Sequence, residues 1–493
     1  MLFNSLAFVV FFPVAVGVYF LTPHRFRWIW LLAASYFFYG WWRWEYLVLI
    51  IGSTLVDYAM GLKMGQQATK EARKPYLWVS LAANLGLLGT FKYLGFFGDT
   101  FNNLMGYLAR DAALSVPDLV LPVGISFYTF QTLSYSVDVY RGHKEPEKHL
   151  GIFALYVTFF PQLVAGPIER SRRLLPQFHT EQTFDAEMVS SGLRLMLWGF
   201  FIKTVVADRM APYVDVVYSN PEAFSGASVW AATFAFAWQI YGDFAGYSLI
   251  AIGAARVMGI RLMDNFRRPY FSASVGELWR RWHISLMSWF RDYLYAPLGG
   301  SKKGPVRGAI NLLIIFTVSG LWHGAAWTFV LFGFMHGVFL IVGRYSQPLR
   351  NRFWALFEPK ADAAAAGWAA SVAGVRRAMG IAFTFFLWMI GGGLFRCQSL
   401  EEAVVLTKHM FITPEGTHTS IRLPGFDTVD LLLIGLAIGA YLFVDLLEER
   451  GKTLDERLGG MSLVPRWAVY LAITLAVLLF GSYGAVPFIY FQF

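Results

Sequence analysis

His283, His323 and His336 fall within the single stretch from Glu277 to His336, and an imidazole is the side chain best suited to move a proton near neutral pH. His283 lies in LWRRWHISLMSWFRDYLY, among arginines and aromatic residues. A basic Gly-rich loop follows, and His323 and His336 then lie inside a long apolar run. An imidazole within membrane-length apolar sequence is costly, so each is a functional candidate until packing accounts for it. His323, in SGLWHGAAW, precedes Gly324 and Ala325, which are small enough for a substrate chain or a second helix to come close. Read as one continuous helix, Asn311 to Val342 turns His336 roughly 220° away from His323. That predicts separate sites, with His336 a packing or interface residue. The earlier segment, read as a helix, puts Trp279, His283 and Leu286 on one side and suits an amphipathic helix lying along the interface.

Two further constellations carry polar groups into apolar sequence. Asp243 sits mid-run in WQIYGDFAGYSLIAIG, near Tyr247. A carboxylate buried there must be protonated, paired with a cation such as an arginine of the basic segment, or set in a polar donor or acceptor cavity. Gln131, Tyr135 and Asp138 lie at i, i+4 and i+7 and predict one polar helix face turned into the bundle or an aqueous cavity. The GxSxG elbow of a serine nucleophile is absent, and the single Cys397 has no motif around it. One cysteine excludes an internal disulfide and a thiolate metal cluster, and no metal site is expected. Direct attack by an acceptor hydroxyl, assisted by histidine, is the simpler scheme.

The elements that must hold these residues are membrane helices. Hydrophobic residues make up 56% of the 493, charged residues only 15%, and the mean hydropathy is +0.48, leaving too little polar surface to cover a soluble core. Apolar runs predict about eleven membrane-embedded segments. The first, Leu2 to Phe20, reads as a retained helix rather than a cleaved signal, because it lacks a basic n-region and a small-residue cleavage site. Pro161, Gly166 and Pro167 break the run Gly151 to Gly166, which predicts a re-entrant or half-membrane element there. The Ala-rich tract Ala361 to Val372 reads as a plain helix or linker. Between Arg256 and Arg307, ten basic residues stand against three acidic ones. This excess places the segment on the cytoplasmic side and also suits an anionic cytosolic ligand. Composition by itself leaves an enzyme, a transporter and a scaffold open.

Four stretches in order, LPVGISFYTFQTLSYSVDVYRG, FFPQLVAGPIER, FRRPYFSASVGELWRRWHISLMSWFRDYLYAPLGG and SGLWHGAAW, resemble the membrane-bound O-acyltransferase family, and within it the bacterial branch of the alginate O-acetyltransferase membrane subunit. The resemblance spans nearly the whole chain. It implies an all-α polytopic membrane protein, a helical bundle with re-entrant and interfacial helices around a central tunnel, forming a single domain over residues 1–493. It also implies an O-acetyltransferase in the bacterial inner membrane, with His323 as catalytic base and His283 as the second family histidine, on the cytosolic side. Acetyl-coenzyme A is the implied donor substrate, with no permanently bound cofactor. The donor side is expected at Trp279, Arg280, Arg281, Asp243 and Tyr247. The implied partners are an extracytoplasmic polysaccharide such as alginate and a periplasmic or membrane-anchored O-acetyltransferase, with no nucleic acid. Related readings are D-alanyl transfer to teichoic acid, acylation of peptidoglycan or a lipid, and a non-catalytic acyl-group transporter. The chain has Leu249 after GYS, where many members of the branch carry Asp. The terminal PFIYFQF resembles the end of the small membrane partner in the D-alanylation system, which would make Tyr490 an acyl relay; the alternative is an interfacial anchor.

Overall fold

The structure, a computed structural model, describes residues 1–108, 114–164, 166–357, 365–412, 428–483 and 488–491. Seven helical segments among the described residues are long and apolar enough to cross a membrane: Trp44–Gly65, Ala186–Ser219, Pro305–His323, Trp327–Tyr345, Trp368–Arg396, Thr428–Glu449 and Leu463–Phe480. A shorter apolar helix, Leu6–Leu21, precedes them. The chain is an all-α, multi-pass membrane protein.

Fewer helices are both long and apolar enough than the eleven or so segments predicted: several apolar runs break before the roughly 20 residues that a crossing needs, and the 32-residue helix Gly226–Val257 is long enough but is not among the seven. The run Gly151 to Gly166 becomes two short helices, Leu150–Thr158 and Phe160–Leu163, separated at Phe159 and with Pro161 in the first turn of the second. Ala165 lies outside the described residues. The helix expected from Leu119 begins only at Ile125. Gly124 before it is left-handed, with φ 77°, and a Cβ there would stand 2.7 Å from the carbonyl oxygen of Leu163. Only glycine fits both conditions. In the Ala-rich tract, residues 361–364 lie outside the described residues, and from Ala365 the chain forms the helix Ala365–Arg396.

The run Asn311 to Val342 is not one helix. Pro305–His323 ends at the histidine, Gly324 and Ala326 are extended, and Trp327–Tyr345 follows. The two helices meet at Gly320 and Gly333. A Cβ on Gly320 would overlap the Phe329 carbonyl oxygen, and one on Gly333 that of Phe316. Such close approach of small residues is how membrane helices gain packing where lipid removes the hydrophobic drive.

The described residues divide into two compact units, the first within 1–204, 244–264 and 455–491, the second within 205–243 and 265–454. In the first, a Cβ on Gly192 would stand 2.7 Å from the Gly253 carbonyl oxygen, and one on Gly199 would stand 2.8 Å from that of Gly246. Asp57 is fully buried and accepts from Ser80 Oγ at 2.5 Å and Asn84 Nδ2 at 2.9 Å, so its desolvation is offset by hydrogen bonds. Gln131, Tyr135 and Asp138 are all buried, as their spacing predicts, and Asp138 meets Arg172 at 3.1 Å. The second unit has an aromatic core. Trp282 and Trp388 lie 4.4 Å apart by ring centroid, and Tyr241 stacks on Tyr441 at 5.0 Å.

Candidate active site

His323 is the last residue of its helix and is 2% exposed. Its ring lies 5.1 Å from Trp322, 5.4 Å from Phe395, 6.0 Å from Phe332 and 6.5 Å from His283. The structure therefore brings together the two histidines that the motifs single out, inside an aromatic wall.

His283 arrives there by a backbone reversal. The expected amphipathic helix is in fact two short ones, Val275–Arg281 and Ile284–Phe290, and His283 between them is left-handed, with φ 42° and ψ 54°. A non-glycine residue there costs on the order of 1–2 kcal/mol. The turn is held from outside. The Ile284 N–H donates to the Asn265 carbonyl at 2.9 Å, Ser285 Oγ donates to Asn265 Oδ1 at 2.6 Å, and the Arg267 N–H donates to the Arg281 carbonyl at 2.9 Å. His283 is consequently fully buried rather than interfacial. Burial, reinforced by His323 nearby, holds its pKa well below the ordinary imidazole value, so the ring is neutral at physiological pH.

The rotation that separates His336 from His323 on one helix does not apply, because the helix ends at His323. His336 belongs to the next helix, and Phe332 packs against both rings, at 4.6 Å from His336 and 6.0 Å from His323. His336 is fully buried and its Nδ1 accepts from Trp279 Nε1 at 3.4 Å, so it packs within the core rather than at an interface.

The residues expected on the donor side divide. Trp279 is 4% exposed and turns its indole to His336. Arg280 is exposed and makes no ion pair among the described residues. Arg281 is engaged by carboxylates, at 2.8 Å from Glu449 and 2.7 Å from Glu277. Asp243 is buried in the helix Gly226–Val257. Tyr247 belongs to the first unit, where its hydroxyl donates to Asn4 Oδ1 at 3.3 Å and its ring lies 5.4 Å from Lys203 Nζ. Tyr490, also in the first unit, is half-buried with its ring 4.8 Å from Phe244. Residues 487, 492 and 493 of its motif lie outside the described residues. The Cys397 thiol is buried, which pushes its pKa up to about 12, and it donates to the Gly393 carbonyl. It is an inert small side chain, as its lack of a motif suggests.

Asn265, Ser285 and Glu449 bond to the segments that flank His283 without having stood out in the sequence. Their only signal is that each is a polar residue beside an aromatic or apolar stretch, which is too common to pick them out.

In the first unit, Glu169 of GPIER is fully buried and accepts from the Met263 N–H, with Arg173 at 3.8 Å. Burial raises its pKa from 4.5 to about 7, against the opposing pull of the Met263 N–H and Arg173. A carboxyl that holds its proton more tightly when folded favours the fold most below pH 4.5, and that stability is lost as pH rises from 4.5 through 7. The span corresponds to about 3 kcal/mol at most. Glu169→Gln, which keeps an acceptor for Met263, is therefore expected to match the wild-type denaturation midpoint at low pH and to exceed it above pH 7. A difference that is constant across pH would reject this account.

The model of the membrane-bound O-acyltransferase family matches residues 148–372, which include both histidines of the pair. The protein named "Probable alginate O-acetylase AlgI" of Pseudomonas putida is 34% identical over the full length of both chains. Its namesake of Pseudomonas aeruginosa is 39% identical over 70% of this chain and 66% of its own. The peptidoglycan O-acetyltransferase of Helicobacter pylori is 34% identical over 71% of this chain and 72% of its own. With the geometry of its paired histidines and a full-length relative at this identity, the chain belongs to the membrane-bound O-acyltransferase family.

Proposed function

We propose that this protein is an O-acetyltransferase of the bacterial inner membrane that takes acetyl from cytosolic acetyl-coenzyme A and passes it toward hydroxyls of an extracytoplasmic polysaccharide such as alginate. The observation that carries the reading is the buried His283–His323 pair in a chain 34% identical, end to end, to a protein named as an alginate O-acetylase. His323 accepts the proton of the acceptor hydroxyl while the oxygen attacks the thioester carbonyl. The C–S bond breaks, and the proton passes to the departing thiolate. General base assistance of this kind contributes about 10²–10⁴-fold. His283, neutral and buried, orients the thioester or the acyl group.

The basic excess between Arg256 and Arg307 draws the donor's phosphates. Arg280 is the member of the expected donor set best able to meet them, being exposed and without an ion pair among the described residues. Trp279 and Arg281 brace the same short helix, while Asp243 and Tyr247 are buried on the helix Gly226–Val257. The broken segment 150–163 is the re-entrant element beside a tunnel, because lipid cannot satisfy its interrupted backbone. All of this forms one functional domain over residues 1–493. A separate periplasmic or membrane-anchored transferase completes delivery to the polymer.

The test is reconstitution in liposomes with acetyl-labelled donor. Labelled acetyl should leave acetyl-coenzyme A with release of a stoichiometric thiol, and it should reach alginate oligosaccharide once the partner is added. Folded protein that releases no thiol from acetyl-coenzyme A, with or without acceptor, would refute the reading.

A further inference from the structure

Glu449, the last residue of the helix Thr428–Glu449, gathers three guanidinium groups around one carboxylate. Arg281 donates through both terminal nitrogens, Nη1 to Oε2 at 2.8 Å and Nη2 to Oε1 at 3.0 Å. Arg268 donates Nε to Oε2 at 3.0 Å, and Arg377 donates Nη2 to Oε1 at 3.1 Å. Glu277 stands 2.7 Å from Arg281, and Glu448 stands 3.5 Å from Arg268. Three arginines and three carboxylates balance, so the cluster is an internal clamp rather than a vacant anion site. A two-pronged arginine–carboxylate pair is also the strongest and most directional form of such contacts.

The clamp grips an unusual piece of backbone. Among the described residues, the non-glycine positions with positive φ are Arg268, at 49°, and His283, at 42°. Arg268 is itself held by Glu449, and His283 lies two residues beyond Arg281, which Glu449 also holds. Left-handed residues of this kind persist only where their surroundings over-determine them. Asn265 fixes the turn through Ile284 and Ser285, and the Arg267 N–H ties it to the Arg281 carbonyl. Those bonds join the two segments to each other; the Tyr241 ring of the helix Gly226–Val257 packs on Phe266 and Trp282 of both, and Glu449 adds charged hydrogen bonds that tie both to the end of the membrane-length helix Thr428–Glu449.

We propose that Glu449 is a positioning residue: by clamping Arg268 and Arg281 it holds the left-handed turn that carries the His283 ring to within 6.5 Å of His323. Its purpose rests on the reading of that pair as the reacting centre. A neutral amide cannot substitute, because glutamine offers one acceptor oxygen where four N–H donors converge and would turn its own NH₂ toward a guanidinium.

Two readouts in lipid nanodiscs test the clamp. Modification of histidines by diethyl pyrocarbonate, located by mass spectrometry, reports burial without any need for acetyl transfer. Steady-state kinetics with acetyl-coenzyme A report function. In Glu449→Gln, His283 is expected to react at least about fivefold faster while His336 is unchanged, the mark of a local opening. The kcat should fall about tenfold or more, with the KM for acetyl-coenzyme A within about twofold, as for a lost orienting contact. Arg377→Gln, at a half-exposed arginine, leaves Arg268 and Arg281 clamped and should move neither readout beyond about twofold. Should Glu449→Gln fail to fold, Glu449→Asp keeps the charge with a shorter reach and should fall between it and the wild type. Continued protection of His283 in the folded variant overturns the proposal, as does equal opening of all three histidines. Selective opening of His283 in a protein inert toward acetyl-coenzyme A would uphold the clamp and remove the proposed function instead.

Discussion

Replacing His323 by alanine is expected to lower acetyl transfer from acetyl-coenzyme A by about 10²–10⁴-fold, the range that a positioned general base contributes. Three observations make this the largest single-residue effect in the chain. The ring ends its helix, so the backbone beyond it is extended and its N–H and C=O groups no longer follow the helix ladder after Gly324. It is 2% exposed, so bulk water does not compete as a base. Its neighbours are mainly aromatic, and the imidazole of His283 beside it is kept neutral by burial. Activity is to be normalised to folded protein by size-exclusion chromatography, since truncating a buried ring also leaves a cavity. Folding and donor affinity are expected to survive, because no contact to the donor's phosphates is lost. Transfer within about threefold of wild type by a folded His323→Ala protein would remove the residue from the chemistry.

The membrane class, the basic segment and the prominence of His323 were legible because they rest on composition and on four ordered motifs. The geometry around His323 was not, for a physical reason. The turn Gly324 to Ala326 contains no proline, and its one stop signal, Gly324 after a last-turn histidine, is diluted in an apolar run that also holds Gly320, Gly333 and Gly337 inside helices. What stops it is tertiary: the second helix folds back so closely that Gly320 and Gly333 almost touch. His283 is a similar case. The residues from Leu278 to Tyr295 have a helix-compatible pattern of arginines and aromatics, and the break is imposed by Asn265, eighteen positions upstream of it. Glu449 lies further still, beyond three membrane-length helices that follow the turn. Local propensity is blind to partners at that distance.

That same hairpin fixes the second large prediction, at Gly333. Alanine there should favour the helix by about 1 kcal/mol, since glycine is the poorer helix former. The added Cβ, however, would overlap the carbonyl oxygen of Phe316 and stand 2.9 Å from the Gly320 Cα, and backbone atoms cannot swing aside as a flexible side chain can. The helices must separate, and overpacking of this kind costs about 1–3 kcal/mol. The steric term wins, and its effect falls on His323, three residues beyond Gly320 on the displaced helix. Gly333→Ala is therefore expected to lower the yield of folded protein and to reduce acetyl transfer per folded molecule by about tenfold or more, as misplacement of a reacting group does. Gly343 supplies the comparison, being on the same helix with nothing within 4 Å of an added Cβ. Gly343→Ala should be neutral or slightly stabilising in a thermal unfolding assay, with unchanged transfer. Equal behaviour of the two variants would mean that helix propensity rather than the Gly320–Gly333 contact governs the hairpin, and that the placement of His323 does not depend on it.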